Sequence, residues 1–437
     1  MKMKNIINKT LIIAGLLSAA MMPVGCKKDF KDPNKATQDE VFSSPRGLAG
    51  VAVGLQRVYT LGRASTLYNL ITINGLTTNE LFVVNTGNTS EVQLATGSTA
   101  VDGNNTILTT FWTTCNKVIY DANLVINNAK NLGDKSYASG LIAYASIFKA
   151  LSIGDMAQFW QKVPDGIGTN VSFIDRVDGF KKAITVLDDA IAAVSADPIS
   201  AAFTANVPAG IDISNTLLAL KARFSLYAGL YPQALAAANM VDLSKKSTFN
   251  YDASNLNPVF EVATSTNNVV QPKDSTLGLV VGLQPDFADK RVAFYTSINP
   301  TIAPRHRING FFNATTTPIP VYLPGEMTLI KAECYARAST PDLANALIEL
   351  NKVITKVPAN DPFGVGAQLP AALGVFTQGQ LLDSIYKHRS IEMFMSGQKL
   401  EDMRRFNRPN AERRRNLMPY PLRERDNNPN TPPDPPF

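Results

Sequence analysis

The chain is poor in the residues that most often carry out chemistry. It holds three cysteines, two histidines and two tryptophans in 437 residues. So few cysteines build no disulfide framework. Cys115 and Cys334 lie far apart in helix-like segments, where they could pair or, on the plainer reading, sit as two buried small hydrophobes. Neither His306 nor His388 has a second histidine at metal-ligand spacing, so no metal site is expected, and His388 reads as a structural residue. There is no Gly-x-Ser-x-Gly elbow and no phosphate-cradling loop. Among 36 acidic residues no spacing singles out the carboxylate pair that glycoside hydrolysis needs. The expectation is a protein that is not an enzyme and carries no cofactor. Beyond the amino terminus no apolar run reaches the length of about 18 residues that reads as a membrane span. Excess charge is scarce too: the net +6 draws half its size from Lys2, Lys4 and Lys9, and gives no argument for nucleic acid.

What is present begins with those lysines. They form a positive n-region, Leu11–Ala20 supplies a short apolar centre, and small residues lead to Cys26. This order reads as a secretory signal whose centre is too short to span a membrane. A cysteine stands where a plain signal would place its cleavage site, as in a bacterial lipoprotein signal. Cleavage before Cys26 would leave that residue to carry the lipid. Each buried methylene adds about 0.8 kcal/mol of membrane affinity, so more than one acyl chain anchors stably. The expected division is a signal over 1–25, a tether over 26–40 and a body over 41–437.

The body reads as mainly α. Helical texture is expected at about 41–60, 106–242 and 323–408, with irregular excursions at about 61–105 and 243–322 and a Pro-rich tail at 427–437. Leu48, Val51, Leu55 and Val58 recur at helical spacing over Arg46–Tyr59. Residues 60–105 read as loop with a short strand near Leu81–Val84. Thr216–Val241 reads as two helices broken at Gly229-Leu230-Tyr231-Pro232, with Pro232 in the first turn of the second. That helix–turn–helix is tetratricopeptide-like, and a weaker copy lies at 331–344, where Thr340-Pro341 suggests the N-cap. Thr276–Leu283 and Arg291–Ile298 read as short strands. Thr377-x-x-Gln380 is a capping-box signature for a last long helix through about Phe406, on which Arg389 with Glu392, and Asp402 with Arg405, stand at pairing distance.

The positive charge is concentrated late. Residues 386–425 hold eleven Lys or Arg against five Asp or Glu. Internal ion pairing is the expectation for Arg389 through Arg405. For Arg413-Arg414-Arg415 both internal pairing and contact with a transporter or lipid headgroups stay open.

Across this last helix the order Arg389, Glu392, Gly397, Asp402, Arg404-Arg405 resembles the pattern of the SusD/RagB nutrient-binding outer-membrane lipoproteins of Bacteroidetes. Leu417-Met418-Pro419-Tyr420-Pro421 and Asn428-Pro429-Asn430 are similar to the closing stretch of that family. Trp112–Asn123, Tyr144–Pro164, the first helical pair and Tyr322–Val353 fit its earlier blocks in order. The resemblance implies a body of tetratricopeptide-like helical pairs with long irregular loops and a few short strands. It also implies a lipid-anchored protein of the outer membrane, facing outward, that binds oligosaccharide or, in some members, peptide. Its implied partner is a SusC-like TonB-dependent transporter, to which it hands the ligand without catalysis.

A sugar surface needs aromatic faces for the pyranose ring, with amides and charges for its hydroxyls. The two excursions have that mixture. The candidate ligand-binding residues are Tyr68, Asn79, Glu80, Phe287, Tyr295, Arg305 and Phe312. Trp112 and Trp160 sit in helical blocks and are expected in the core. The alternative is a tetratricopeptide-like envelope scaffold acting only through protein partners, for which the aromatics of 284–312 should be buried.

Overall fold

The computed structural model describes residues 38–436 apart from 267 and 302. The signal, Cys26 and the tether as far as residue 37 lie outside the described residues. The body, Phe42–Phe437, is built on helices. The first long one, α1 (Pro45–Thr60), starts where the Ser44 hydroxyl accepts the Gly47 N–H at 3.1 Å, with Pro45 in the first turn. The next three are α2 (Thr66–Thr77), α3 (Thr89–Thr96) and α4 (Thr106–Ala129). They are followed by α5 (Lys135–Phe159), α6 (Arg176–Ala196) and the pair α7 (Ile213–Tyr227) and α8 (Tyr231–Met240). The second pair is α9 (Pro324–Ala336) and α10 (Leu343–Ile354), and the series closes with α11 (Gln378–Glu392) and α12 (Lys399–Arg405).

From α4 to α10 each helix packs on the next, and α11 lies against α9 and α10. Such a row of stacked helical pairs is the tetratricopeptide-like architecture expected from the sequence. Its middle is α5, long and apolar enough by composition to cross a membrane. The expectation that no second such run exists is therefore corrected. The physical reason for the apolarity is burial: α4, α6, α1 and α7 all pack on α5, and a helix covered on every side is apolar all round. Trp112 and Trp160 are in this core, their rings 4.8 Å apart, with Trp160 Nε1 donating to the Pro419 carbonyl at 2.9 Å. Cys115 and Cys334 are buried and unpaired.

Among the described residues the strands come in four two-stranded antiparallel ribbons. One ribbon ties the two excursions together: β1 (Leu81–Val83) pairs with β2 (Val270–Pro272), Leu81 opposite Pro272.

Three local expectations are corrected. Residues 61–105 are not a loop, because α2 and α3 lie within them. Thr276–Leu283 is a series of turns, and Arg291–Ile298 divides into the end of a short helix, Lys290–Tyr295, and a strand, Thr296–Ile298. The capping box at Thr377 and Gln380 is present, but the helix it opens stops at Glu392. Met395 and Gly397 take φ of +57° and +81°, and a Cβ on Gly397 would meet Leu70 at 2.5 Å. At position 397 glycine relieves both the positive φ and the close approach.

That break lets α12 fold back on α11, and it rearranges the ion pairs. Arg389 bonds Asp402 at 2.7 Å rather than Glu392. Glu392 instead receives Arg291 at 3.1 Å and Lys356 at 2.6 Å. Arg405 bridges Asp402 at 2.6 Å and Glu333 at 2.5 Å. These carboxylates are all buried. The residues that carry the family resemblance thus build an internal ionic lattice. In the second helical pair the N-cap is Asp342, accepting the Asn345 N–H at 3.0 Å, rather than Thr340.

Candidate functional site

Two hollows in the body differ in kind. The first lies inside the core and holds about 60 Å³, with Tyr295, Phe312, Tyr59, Asp155 and Tyr322 among its walls. A water's share of liquid volume is about 30 Å³, so this hollow has room for water but not for a sugar ring. Burial pushes the Asp155 carboxyl up to about 7, against the opposing pull of the Tyr59 hydroxyl, which donates to it at 2.6 Å, and of Arg223.

The second hollow opens beside the β1–β2 ribbon and measures about 370 Å³, within the range of about 300–1,000 Å³ usual for small-ligand sites. Its floor is Leu76, from α2, and Leu81. Phe82 and Ala95, both half-buried, form the walls. Asn79, Lys273 and Arg414 stand at its polar side.

Each polar residue is mounted by backbone. Asn79 has φ +61°, a left-handed conformation that asparagine tolerates better than most residues, and its Nδ2 donates to the Glu412 carbonyl at 2.9 Å. Lys273 follows directly on Pro272, the last residue of β2. Arg414 is held from both sides: its N–H donates to the Thr77 carbonyl at 2.8 Å, and its carbonyl accepts the Ser98 N–H at 2.9 Å. Gly97 makes this approach possible, since a Cβ there would collide with the Arg414 carbonyl oxygen.

Behind the hollow, Glu80 and Lys399 form a buried couple. Burial raises the pKa of the Glu80 carboxyl, with Lys399 opposing, and lowers that of the Lys399 ammonium, with Glu80 opposing. Lys399 also donates to the Leu277 carbonyl at 3.0 Å, fixing the start of the 277–288 turn series.

Of the seven candidate ligand residues, the hollow gathers Asn79 alone. Tyr68, Glu80, Tyr295 and Phe312 lie in the interior, each at most 2% exposed, and Tyr295 and Phe312 line the first hollow. Tyr295 is locked by its hydroxyl, which donates to the Glu392 carbonyl at 2.5 Å, and by the ring of Phe394, 5.6 Å away. Phe287 and Arg305 are exposed but lie outside this lining. His388 is structural as expected: its Nδ1 faces Arg291 at 2.9 Å, and burial, then Arg291, lowers its pKa.

Phe82, Lys273 and Arg414 were not singled out from sequence. The outward turn of Arg414 follows from its backbone. Residue 413 is in extended conformation, and alternate side chains of an extended segment point to opposite sides. Arg413 and Arg415 turn inward, to Asn410 at 3.0 Å and to the Leu417 carbonyl at 2.7 Å, while Arg414 turns out.

No protein-family model matches the sequence, and no curated protein matches it. Solved structures do match. A SusD homolog from Bacteroides thetaiotaomicron aligns over 92% of this chain and 99% of its own, with a TM-score of 0.71 at 13% identity. A SusD superfamily protein of the same species covers 90% of this chain and 100% of its own, at a TM-score of 0.70 and 15% identity. A SusD-like carbohydrate-binding protein from Bacteroides fragilis covers 84% and 87%, at a TM-score of 0.66 and 16% identity. The helical row, the paired excursions and these alignments agree: the protein has the SusD-like fold.

Proposed function

We propose that this chain is a SusD/RagB-type lipoprotein that captures an oligosaccharide in the hollow beside the β1–β2 ribbon. It is anchored through Cys26, works outside the cell without catalysis, and passes its ligand to a SusC-like TonB-dependent transporter. The observation that carries the reading is the lining itself. The Phe82 ring can take the apolar face of a pyranose, Asn79 and two cations can take hydroxyls, and the volume suits a sugar residue. The fold supports it, since it is shared with a protein described as carbohydrate-binding.

The test is a glycan array on the full chain in detergent, beside Phe82→Ala. Binding of an oligosaccharide that falls about tenfold or more in the variant is expected, the effect of losing one good stacking face. Binding that ignores Phe82 would move the site elsewhere.

The protein-scaffold reading expects the aromatics of 284–312 to be buried: Tyr295 and Phe312 are, whereas Phe287 is exposed. Its working surface would be a concave groove of the helical row. Copurification of a transporter, or of another envelope protein in its place, separates the two.

A further inference from the structure

The lining of the open hollow has a marked imbalance of charge. Lys273 and Arg414 both border it, and its other lining residues include no aspartate or glutamate. Neither cation forms an ion pair with any described residue, and neither side chain donates a hydrogen bond to one. Nearby acids are engaged elsewhere: Glu412 with Arg408 at 2.5 Å, and Asp274 with the Thr276 N–H at 2.8 Å. Elsewhere along residues 386–425, Arg389, Arg404, Arg405 and Arg408 each meet a carboxylate, and the buried Arg413 and Arg415 bond amide or carbonyl oxygens.

Position makes the two cations usable together. Lys273 continues the strand paired with Leu81–Val83, and Arg414 is clamped by its main chain to residues 77 and 98. Both therefore approach one space from fixed backbones on different segments. A planar guanidinium offers two parallel donors to a carboxylate or sulfate, and an ammonium adds a point charge to the same group. The hollow that they and Phe82 line measures about 370 Å³, enough for one sugar residue.

We propose that the ligand is an acidic oligosaccharide, bearing a carboxylate or a sulfate that Lys273 and Arg414 hold together while Phe82 takes the ring. This rests on the oligosaccharide function proposed for the same hollow and names its substrate class. Hydrogen bonds to charged groups contribute about 1.5–3 kcal/mol each, equivalent to about ten- to a hundredfold in affinity.

The experiment is titration calorimetry of the full chain in detergent with five probes. These are a galacturonate hexamer, its neutral methyl ester, a sulfated galactan oligomer, the desulfated oligomer, and inorganic sulfate. Each is repeated with Lys273→Met, Arg414→Met and Phe82→Ala, after thermal melting shows that the variants are folded. The expected result is that an acidic oligomer binds about ten- to a hundredfold tighter than its neutral counterpart. Either methionine variant should erase that preference, and raised salt should weaken it. Preference for the galacturonate assigns a carboxylate, and preference for the sulfated oligomer assigns a sulfate. Equal, Phe82-dependent binding of acidic and neutral oligomers overturns the acidic class and leaves the sugar function standing. Binding of inorganic sulfate with no acidic oligomer bound overturns it as well. If none of the oligomers binds, both readings fall.

Discussion

In the α11–α12 layer Arg389 and Arg405 meet buried carboxylates, whereas at the open hollow Lys273 and Arg414 meet none among the described residues. Arg414 follows α12 closely in sequence, and the two regions use the same residue types. The difference is solvent. A buried charge left unmatched carries a heavy desolvation penalty, so the interior tolerates cations only with partners in place. At the surface water screens the charge, and an unmatched cation there costs little until a ligand supplies the anion. Matched charge therefore holds the architecture, and unmatched charge is available for recognition.

The comparison is broken most forcefully from inside. Arg389→Met leaves Asp402 buried with only Arg405 as its ion-pair partner, and should cost about 3–5 kcal/mol in urea unfolding. A loss below about 1 kcal/mol would deny the network its structural role.

Second in size is a pH effect at Asp155, a buried carboxyl with no ion pair among the described residues. Its pKa is raised from 3.8 to about 7, chiefly by burial. The folded state therefore keeps its proton where the unfolded state releases it. This contribution is complete below pH 4 and is lost as pH climbs through about 7. At about 1.36 kcal/mol per unit the total approaches about 4 kcal/mol. Asp155→Asn should flatten the stability profile between those limits, and an unchanged slope would assign the pH dependence to other groups.

Smaller again is the consequence of Phe82→Ala for affinity, about tenfold in the glycan-binding measurement. Smallest of all, Arg414→Met and Lys273→Met should each shift unfolding by less than about 0.5 kcal/mol, as surface substitutions do. A large destabilisation in either would place that residue with the interior network and remove the contrast.

Much of the helical row could be read in advance. Pro232 and the residues before it mark the first pair, and Thr377 with Gln380 marks the start of α11, because caps and turns leave local chemical signatures. The helix α2 left none: all twelve of its residues are buried, so no polar face repeats, and its threonines, isoleucines and asparagines read as loop or strand. The end of α11 was hidden for another reason, since Gly397 needs its freedom against Leu70, a residue more than three hundred positions away. Asn79 was legible as a polar residue in an excursion. Phe82, Lys273 and Arg414 were not, because only the β1–β2 pairing and the clamp on residue 414 bring them to one place.

That clamp uses only the main chain of residue 414, one N–H and one C=O, with Gly97 pressed against it. Any amino acid except proline satisfies it, so the handle is fixed while its head is exchangeable. Arg414→Glu would invert the sign of this edge of the hollow without disturbing a single bond of the frame, and an amino sugar could then be favoured over an acidic one. The charge of this edge can thus be exchanged by a single substitution while the frame stays as it is.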